Sequence, residues 1–205
     1  MTVKRLNNQQ IKRAIFLDYE GNIDKPPTLL GWRVDGETFG AIIEPLFSIC
    51  EKKFKAKYVV ALDHQQQVSE LIQRAFKESR CIVTWSQHDL YVMKSVISAS
   101  ESKQLASVYR NALGTARPWY RNEYGVTADV ASLSHFCDLF ALKVPERFGT
   151  GIVGTTLGLI RSQLNEGRSY GELTPKARLG WVKVVRHNEY DLIFMEKILT
   201  KITAA

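Results

Sequence analysis

AIFLDYEG, residues 14–21, runs from an apolar stretch into two carboxylates, Asp18 and Glu20. Read as a β-strand, it turns Ile15, Leu17 and Tyr19 to one face and Phe16, Asp18 and Glu20 to the other. The two acids therefore share a face, with Cα atoms roughly 6.5–7 Å apart. That spacing suits carboxylates reaching toward hard divalent cations held about 3.5–4 Å apart. Without a cation the pair is costly: at 4 Å and an effective dielectric of about 20, repulsion is roughly 4 kcal/mol. The plainer reading is a strand that ends in a polar turn at Glu20-Gly21-Asn22. This stretch alone leaves both open.

Working outward, Pro26-Pro27 makes residues 22–28 a loop. Asp35-Gly36 lies between the extended stretches 28–34 and 38–45, and this dipeptide tolerates the positive φ of a tight hairpin turn. The second and third strands are thus expected to be antiparallel, with a short extended piece at 57–62. Helical spacing of Val68, Leu71, Ile72, Ala75 and Phe76 predicts a helix over 67–77. CIVTW, residues 81–85, reads as a strand buried on both faces. It leads through Ser86-Gln87-His88 to Asp89 and a helix over 90–99, placing Asp89 at the sheet edge where α/β ligand sites concentrate. An ordinary helix N-cap is the alternative for Asp89. Further helices are expected at 103–113, 132–141 and 153–165, with loops between them.

The last expected helix, 179–202, is the most informative. Val184, Asp191, Met195 and Ile198 fall on one side, with Leu192 and Leu199 beside them. An aspartate inside an apolar stripe calls for a cation, a basic partner or several hydrogen bonds. A buried ion pair and a metal ligand are both consistent with Asp191. His187 lies one turn earlier on the same side.

With 205 residues, 45% hydrophobic and 24% charged, the chain can bury one core, so residues 1–205 are expected to form a single domain with a basic N-terminal segment at 1–13. No apolar segment approaches the roughly 20 residues of a membrane span, and the N-terminus lacks the apolar core of an export signal. Cys50, Cys81 and Cys137 are odd in number and widely spaced, which suggests reduced thiols in a cytoplasmic protein. The net charge of +7 fits a polyanionic partner such as nucleic acid. Basic residues gather at 4–13, at 52–57, at Arg110, Arg117 and Arg121, and from Arg161 to Arg186. The last two groups are interleaved with Trp119, Tyr120, Tyr124, Tyr170 and Trp181, a mixture suited to phosphates and stacked bases, or equally to solvated helix faces.

Taken together, IFLDYEG, VTWSQHDL and RHNEYDLIFM resemble the three motifs of the DEDD superfamily of 3′-to-5′ exonucleases: an Asp-x-Glu strand, an Asp after a later strand, and a late Asp preceded by an aromatic residue or His. The resemblance covers about residues 14–199. It implies a ribonuclease H-like α/β fold, a mixed sheet with antiparallel first three strands and parallel ones after them, flanked by helices. It also implies Asp18, Glu20, Asp89 and Asp191 as ligands of two Mg²⁺ or Mn²⁺ ions, with His187 as general base. Gly21, Asn22, Trp85, His88 and Arg186, adjacent to these motifs, are the expected substrate contacts. One departure stands out: three residues separate His187 from Asp191, the gap typical of the family's tyrosine branch, so the position is similar to that in predicted ribonuclease H-like nucleases related to that branch. Tyr190 and His88 are the substitute bases. Single-stranded DNA or RNA is the implied substrate.

Two other readings compete. A nucleic-acid-binding module could keep the fold without cleaving. A haloacid dehalogenase-type phosphatase would use Asp18 as nucleophile, but that chemistry wants Asp at position 20 and a late pair of acids close together.

Overall fold

The computed structural model describes residues 5–22, 26–53, 58–60, 63–125, 132–143, 145 and 153–204. The described strands are β1 (Ile15–Glu20), β2 (Leu29–Val34), β3 (Glu37–Ile42), β4 (Tyr58–Val60), β5 (Ile82–Thr84) and β6 (Tyr109–Asn111). The helices are α1 (Asn8–Lys12), α2 (His64–Lys77), α3 (Gln87–Val96), α4 (Ala99–Val108), α5 (Leu113–Tyr124), α6 (Leu133–Leu139), α7 (Val153–Asn165) and α8 (Pro175–Ala204).

The strands form one mixed sheet in the order β4-β3-β2-β1-β5-β6. β1, β2 and β3 are antiparallel neighbours, while β5 lies parallel to β1, β6 to β5, and β4 to β3. The Asp35-Gly36 turn is as expected, with φ of +52° and +80° at its two central residues. Val34 pairs with Glu37 across it.

Alternation along β1 divides the core. Ile15 and Leu17 face α2, α3 and α4 through Val68, Leu71, Ile72, Met93 and Leu105. Phe16 faces the other layer, where Val83 and Trp85 meet the C-terminal half of α8 through Leu192, Met195, Ile198 and Leu199. The N-terminal half of α8 packs with α7 and the 3₁₀ turns of Pro45–Lys53 around Trp181 and Phe47, whose ring centroids are 5.5 Å apart. Asp18 and Glu20 extend from the same β1 face as Phe16, so they come out beneath α8.

Gly31 on β2 pairs with Asp18 on β1, and α8 passes directly over it. A Cβ at position 31 would stand 1.7 Å from Asn188 Oδ1 and 2.9 Å from Leu192 Cδ1. The absent side chain is what admits α8 so close to the sheet.

Several local expectations change. The helix expected at 90–99 begins at Gln87, because Ser86 takes the extended N-cap conformation, and Asp89 is therefore in its first turn. The helix expected at 103–113 is α4, ending at Val108, followed by β6, whose three residues pair with β5; so short and partly buried a strand carries no periodic signal. Pro118 does not enforce a loop but lies inside α5, where it removes one backbone bond. Packing of Trp119 on Phe140, centroids 5.3 Å apart, and of Tyr120 against Phe136 holds that helix against α6. The basic N-terminal segment contains α1, closed by an Asn7–Gln10 capping box. The final helix is longer than expected, 30 residues, while α7 spans the expected 153–165.

The three cysteines are free and buried, and burial pushes the Cys50 and Cys137 thiols up to about 12. No described helix is long and apolar enough to cross a membrane.

Candidate active site

Three separate elements supply the acids: Asp18 and Glu20 the end of β1, Asp89 the first turn of α3, and Asp191 the middle of α8. Ligand atoms of Glu20, His187 and Asp191 all lie within 4.8 Å of one another. Asp18 and Asp89 stand outside that tight set but within electrostatic reach of it. Loss of water contact raises the Asp18 carboxyl well above its ordinary value, and the charges of Glu20, Asp191 and Asp89 raise it further. Glu20 is raised well above its ordinary value by burial, then by Asp191 and Asp89. Asp89 is raised by burial, against a 3.0 Å hydrogen bond from Ser86 Oγ to its Oδ2.

His187 and Asp191 are one helical turn apart, with Nε2 3.6 Å from Oδ2. Burial raises Asp191 to about 6, and His187 pulls it part of the way back. His187 Nδ1 is buried without a hydrogen-bond partner. Among the described ion pairs, none joins a Lys or Arg to these four acids. Among the described ion pairs, the one that Asp191 makes is with His187. An oxygen-rich donor set with one imidazole, short of positive charge, fits a hard divalent cation.

Glu20 and His187 carry the site onto the wall of a cleft of about 930 Å³, which Gly21, Asn22, His64 and His88 also line. Gly21 and Asn22, two of the expected substrate contacts, are on that wall, and Asn22 Oδ1 is buried there without a partner. His88 is exposed at the start of α3.

The structure places two of the expected substrate contacts away from the lining of this cleft. Trp85 is only 6% exposed and meets Phe136 edge-on at 5.3 Å; it follows Val83 onto the face beneath α8 and belongs to the core. Arg186 forms an ion pair with Glu189 on its own helix and does not line the cleft. Of the interleaved aromatics, Trp119 and Tyr120 pack toward α6 and Trp181 is fully buried, while Tyr124 is 48% exposed. Arg161 is held by Glu44 at 2.7 Å and is not free for phosphate. The lysines at 52–57 fall outside the residues whose side chains are described.

Two site residues escaped the sequence reading. Asn188 is completely buried, and its Nδ2 donates to Asp18 Oδ2 at 2.8 Å and to the Asp18 carbonyl at 3.2 Å, aiming the first carboxylate from the helix that bears the last one. A polar residue in the apolar stripe of α8, opposite a glycine in the interior of β2, was the signal. His64, at the start of α2, lines the cleft and shares a 2.9 Å hydrogen bond with the Tyr19 hydroxyl. The Tyr19 hydroxyl is raised by burial and then by Asp89, so it stays protonated.

The raised acids have a measurable consequence. A carboxyl whose folded-state pKa lies above its unfolded value favours folding only while protonated. For Asp191 that contribution is full below the ordinary 3.8 and is lost as pH rises through about 6. Metal-free Asp191→Asn should therefore match the parent in stability near pH 4 and exceed it by about 2–3 kcal/mol at neutral pH. Urea unfolding of both proteins in chelator across that range checks it; a difference independent of pH would mean that Asp191 is not strained in the folded state.

Comparison of the chain with protein-family models, with curated proteins and with solved structures found no match.

Proposed function

We propose that this chain is a divalent-metal-dependent nuclease of the DEDD type with a ribonuclease H-like fold, hydrolysing phosphodiester bonds of single-stranded DNA or RNA from the 3′ end. The observation that carries the reading is the gathering of Glu20, His187 and Asp191, from β1 and α8, with ligand atoms within 4.8 Å of one another at the edge of a cleft, and with Asp18 and Asp89 in electrostatic reach of them. The antiparallel β1–β3 meander, with parallel strands on the other side of β1, supports the fold assignment. The net charge of +7 supports a polyanionic substrate. Three free, buried thiols support a cytoplasmic setting.

Two Mg²⁺ or Mn²⁺ ions, when bound by the four carboxylates, would supply acidification of the attacking water and charge stabilisation at the leaving 3′ oxygen. The chain's own residues do the rest. Asn188 holds Asp18 in one orientation through its amide. Ser86 does the same for Asp89 through its hydroxyl. His187 receives the water's proton at Nε2, with Asp191 beside it to stabilise the imidazolium. Gly21 and Asn22 border the cleft where the terminal nucleotide lies.

Incubating end-labelled single-stranded DNA and RNA with Mg²⁺, Mn²⁺ or chelator tests the reading. The label is expected to leave as mononucleotides with either metal and to stay in place with chelator. Tight binding with no metal-dependent product would overturn catalysis and favour a binding module.

A further inference from the structure

We infer that Arg161 is a positioning residue for the carboxylate site: paired with Glu44, it fixes the end of β1 against the N-terminal half of α8, and so sets where Glu20 stands relative to His187 and Asp191. Its part in turnover rests on the nuclease reading; the clamp itself does not.

Arg161 does not line the cleft. It is 7% exposed and grips both oxygens of Glu44, Nε to Oε1 at 2.8 Å and Nη2 to Oε2 at 2.7 Å. Nη2 also donates to Thr28 Oγ1 at 3.3 Å, and that hydroxyl donates to Glu44 Oε2 at 2.6 Å. Thr28 is completely buried, and its amide donates to the Glu20 carbonyl at 2.8 Å. The Thr28 carbonyl accepts from the Ile43 amide at 3.0 Å. Thr28 thus ties the last residue of β1 to the chain leaving β3, and the Arg161–Glu44 pair locks its side chain.

The same guanidinium reaches toward α8. Its central carbon stands 5.4 Å from the centroid of the Phe47 ring, and Phe47 packs on Trp181. Trp181 precedes His187 by six residues on that helix. Gly154, about two turns before Arg161 on α7, lines the cleft. One side chain therefore joins the elements that deliver Glu20 and His187 without itself entering their cluster.

Stability alone does not call for this arrangement. A buried ion pair gains little over apolar groups of the same shape, whereas a forked guanidinium–carboxylate contact admits one orientation and an apolar contact slides. Arg161 Nη1 is also buried without a partner, a cost that an apolar side chain would not carry.

Amide hydrogen exchange in chelator and Mn²⁺ binding followed by electron paramagnetic resonance test the clamp. Thr28→Val/Glu44→Leu/Arg161→Met replaces the network by apolar groups and leaves no charge behind, so in chelator it should melt within a few degrees of the parent. The Thr28 amide should exchange faster than in the parent, while the amides of β5 keep their parental rates. Mn²⁺ Kd should rise about tenfold, the lower end of what loss of an outer-shell partner costs a metal site. Arg161→Lys, which keeps the charge and the fold but loses the fork, should show both changes at smaller size. Parental Thr28 exchange and Mn²⁺ Kd in the folded variants would overturn the clamp, as would protection lost evenly across the sheet. Faster Thr28 exchange in the variants of a parent that binds no Mn²⁺ would keep the clamp and remove the metal-dependent reading. Mn²⁺ binding and hydrolysis by the parent, with both readouts unchanged in the variants, would do the reverse.

Discussion

Asp18→Asn and Asp191→Asn are each expected to lose metal-dependent hydrolysis by on the order of 10²–10³-fold, the size of effect seen when one preorganised electrostatic group is removed from a reacting centre. Both should nevertheless fold, and in chelator both should melt above the parent. Asn at 18 keeps an acceptor for the Asn188 amide while deleting the charge that Glu20, Asp191 and Asp89 oppose. Asn at 191 likewise removes a carboxylate that burial raises to about 6. For a chain of this size each kcal/mol recovered is worth about 2–4 °C in Tm. Mg²⁺ or Mn²⁺ should then reverse the order, because binding to the folded state stabilises the parent and has less to hold in the variants. The pairing of lost turnover with gained metal-free stability separates a ligand from a structural acid, whose replacement lowers both. Parental nuclease rates in the two variants would remove these residues from the mechanism.

Gly31→Ala is expected to be the most damaging single-methyl change in the sheet. The new Cβ would fall 1.7 Å from Asn188 Oδ1 and 2.7 Å from its Cγ, with Leu192 Cδ1 at 2.9 Å. None of these can yield cheaply. Asn188 is completely buried and tied to Asp18, and Leu192 belongs to the core beneath α8. Either α8 lifts from β2 or Asn188 lets go of Asp18. The cost is about 1–3 kcal/mol, as for other overpacked cores, or a Tm lower by several degrees. Activity should fall with it, since Asp191 and His187 ride on the same helix. Adding Asn188→Ala to Gly31→Ala should recover part of the stability, by making room, without recovering turnover, because Asp18 then has no amide to orient it. Parental stability and rate in Gly31→Ala would show that α8 does not approach β2 this closely.

The features legible in the linear sequence are those encoded within a few residues. The period of two along β1 sets Asp18 and Glu20 on one face, the Asp35-Gly36 pair meets the positive φ of its turn, and helical spacing marks α2, α7 and α8. Residue chemistry marked Asp18, Glu20 and Asp191 as carboxylates among apolar neighbours that need a positive counterpart, and the motif resemblance joined Asp89 and His187 to them. What required the tertiary structure was every question of what faces what. Whether Trp85 stacks on a ligand or on Phe136, whether Arg161 meets phosphate or Glu44, and that Gly31 makes way for Asn188 all depend on elements far apart in the chain. β6 escaped for a related reason, because three residues become a strand only when β5 lies alongside to take their hydrogen bonds. Local backbone preference is a property of adjacent residues, whereas a side chain's partner is set by how whole layers pack, and that long-range packing placed Asn188 against Asp18.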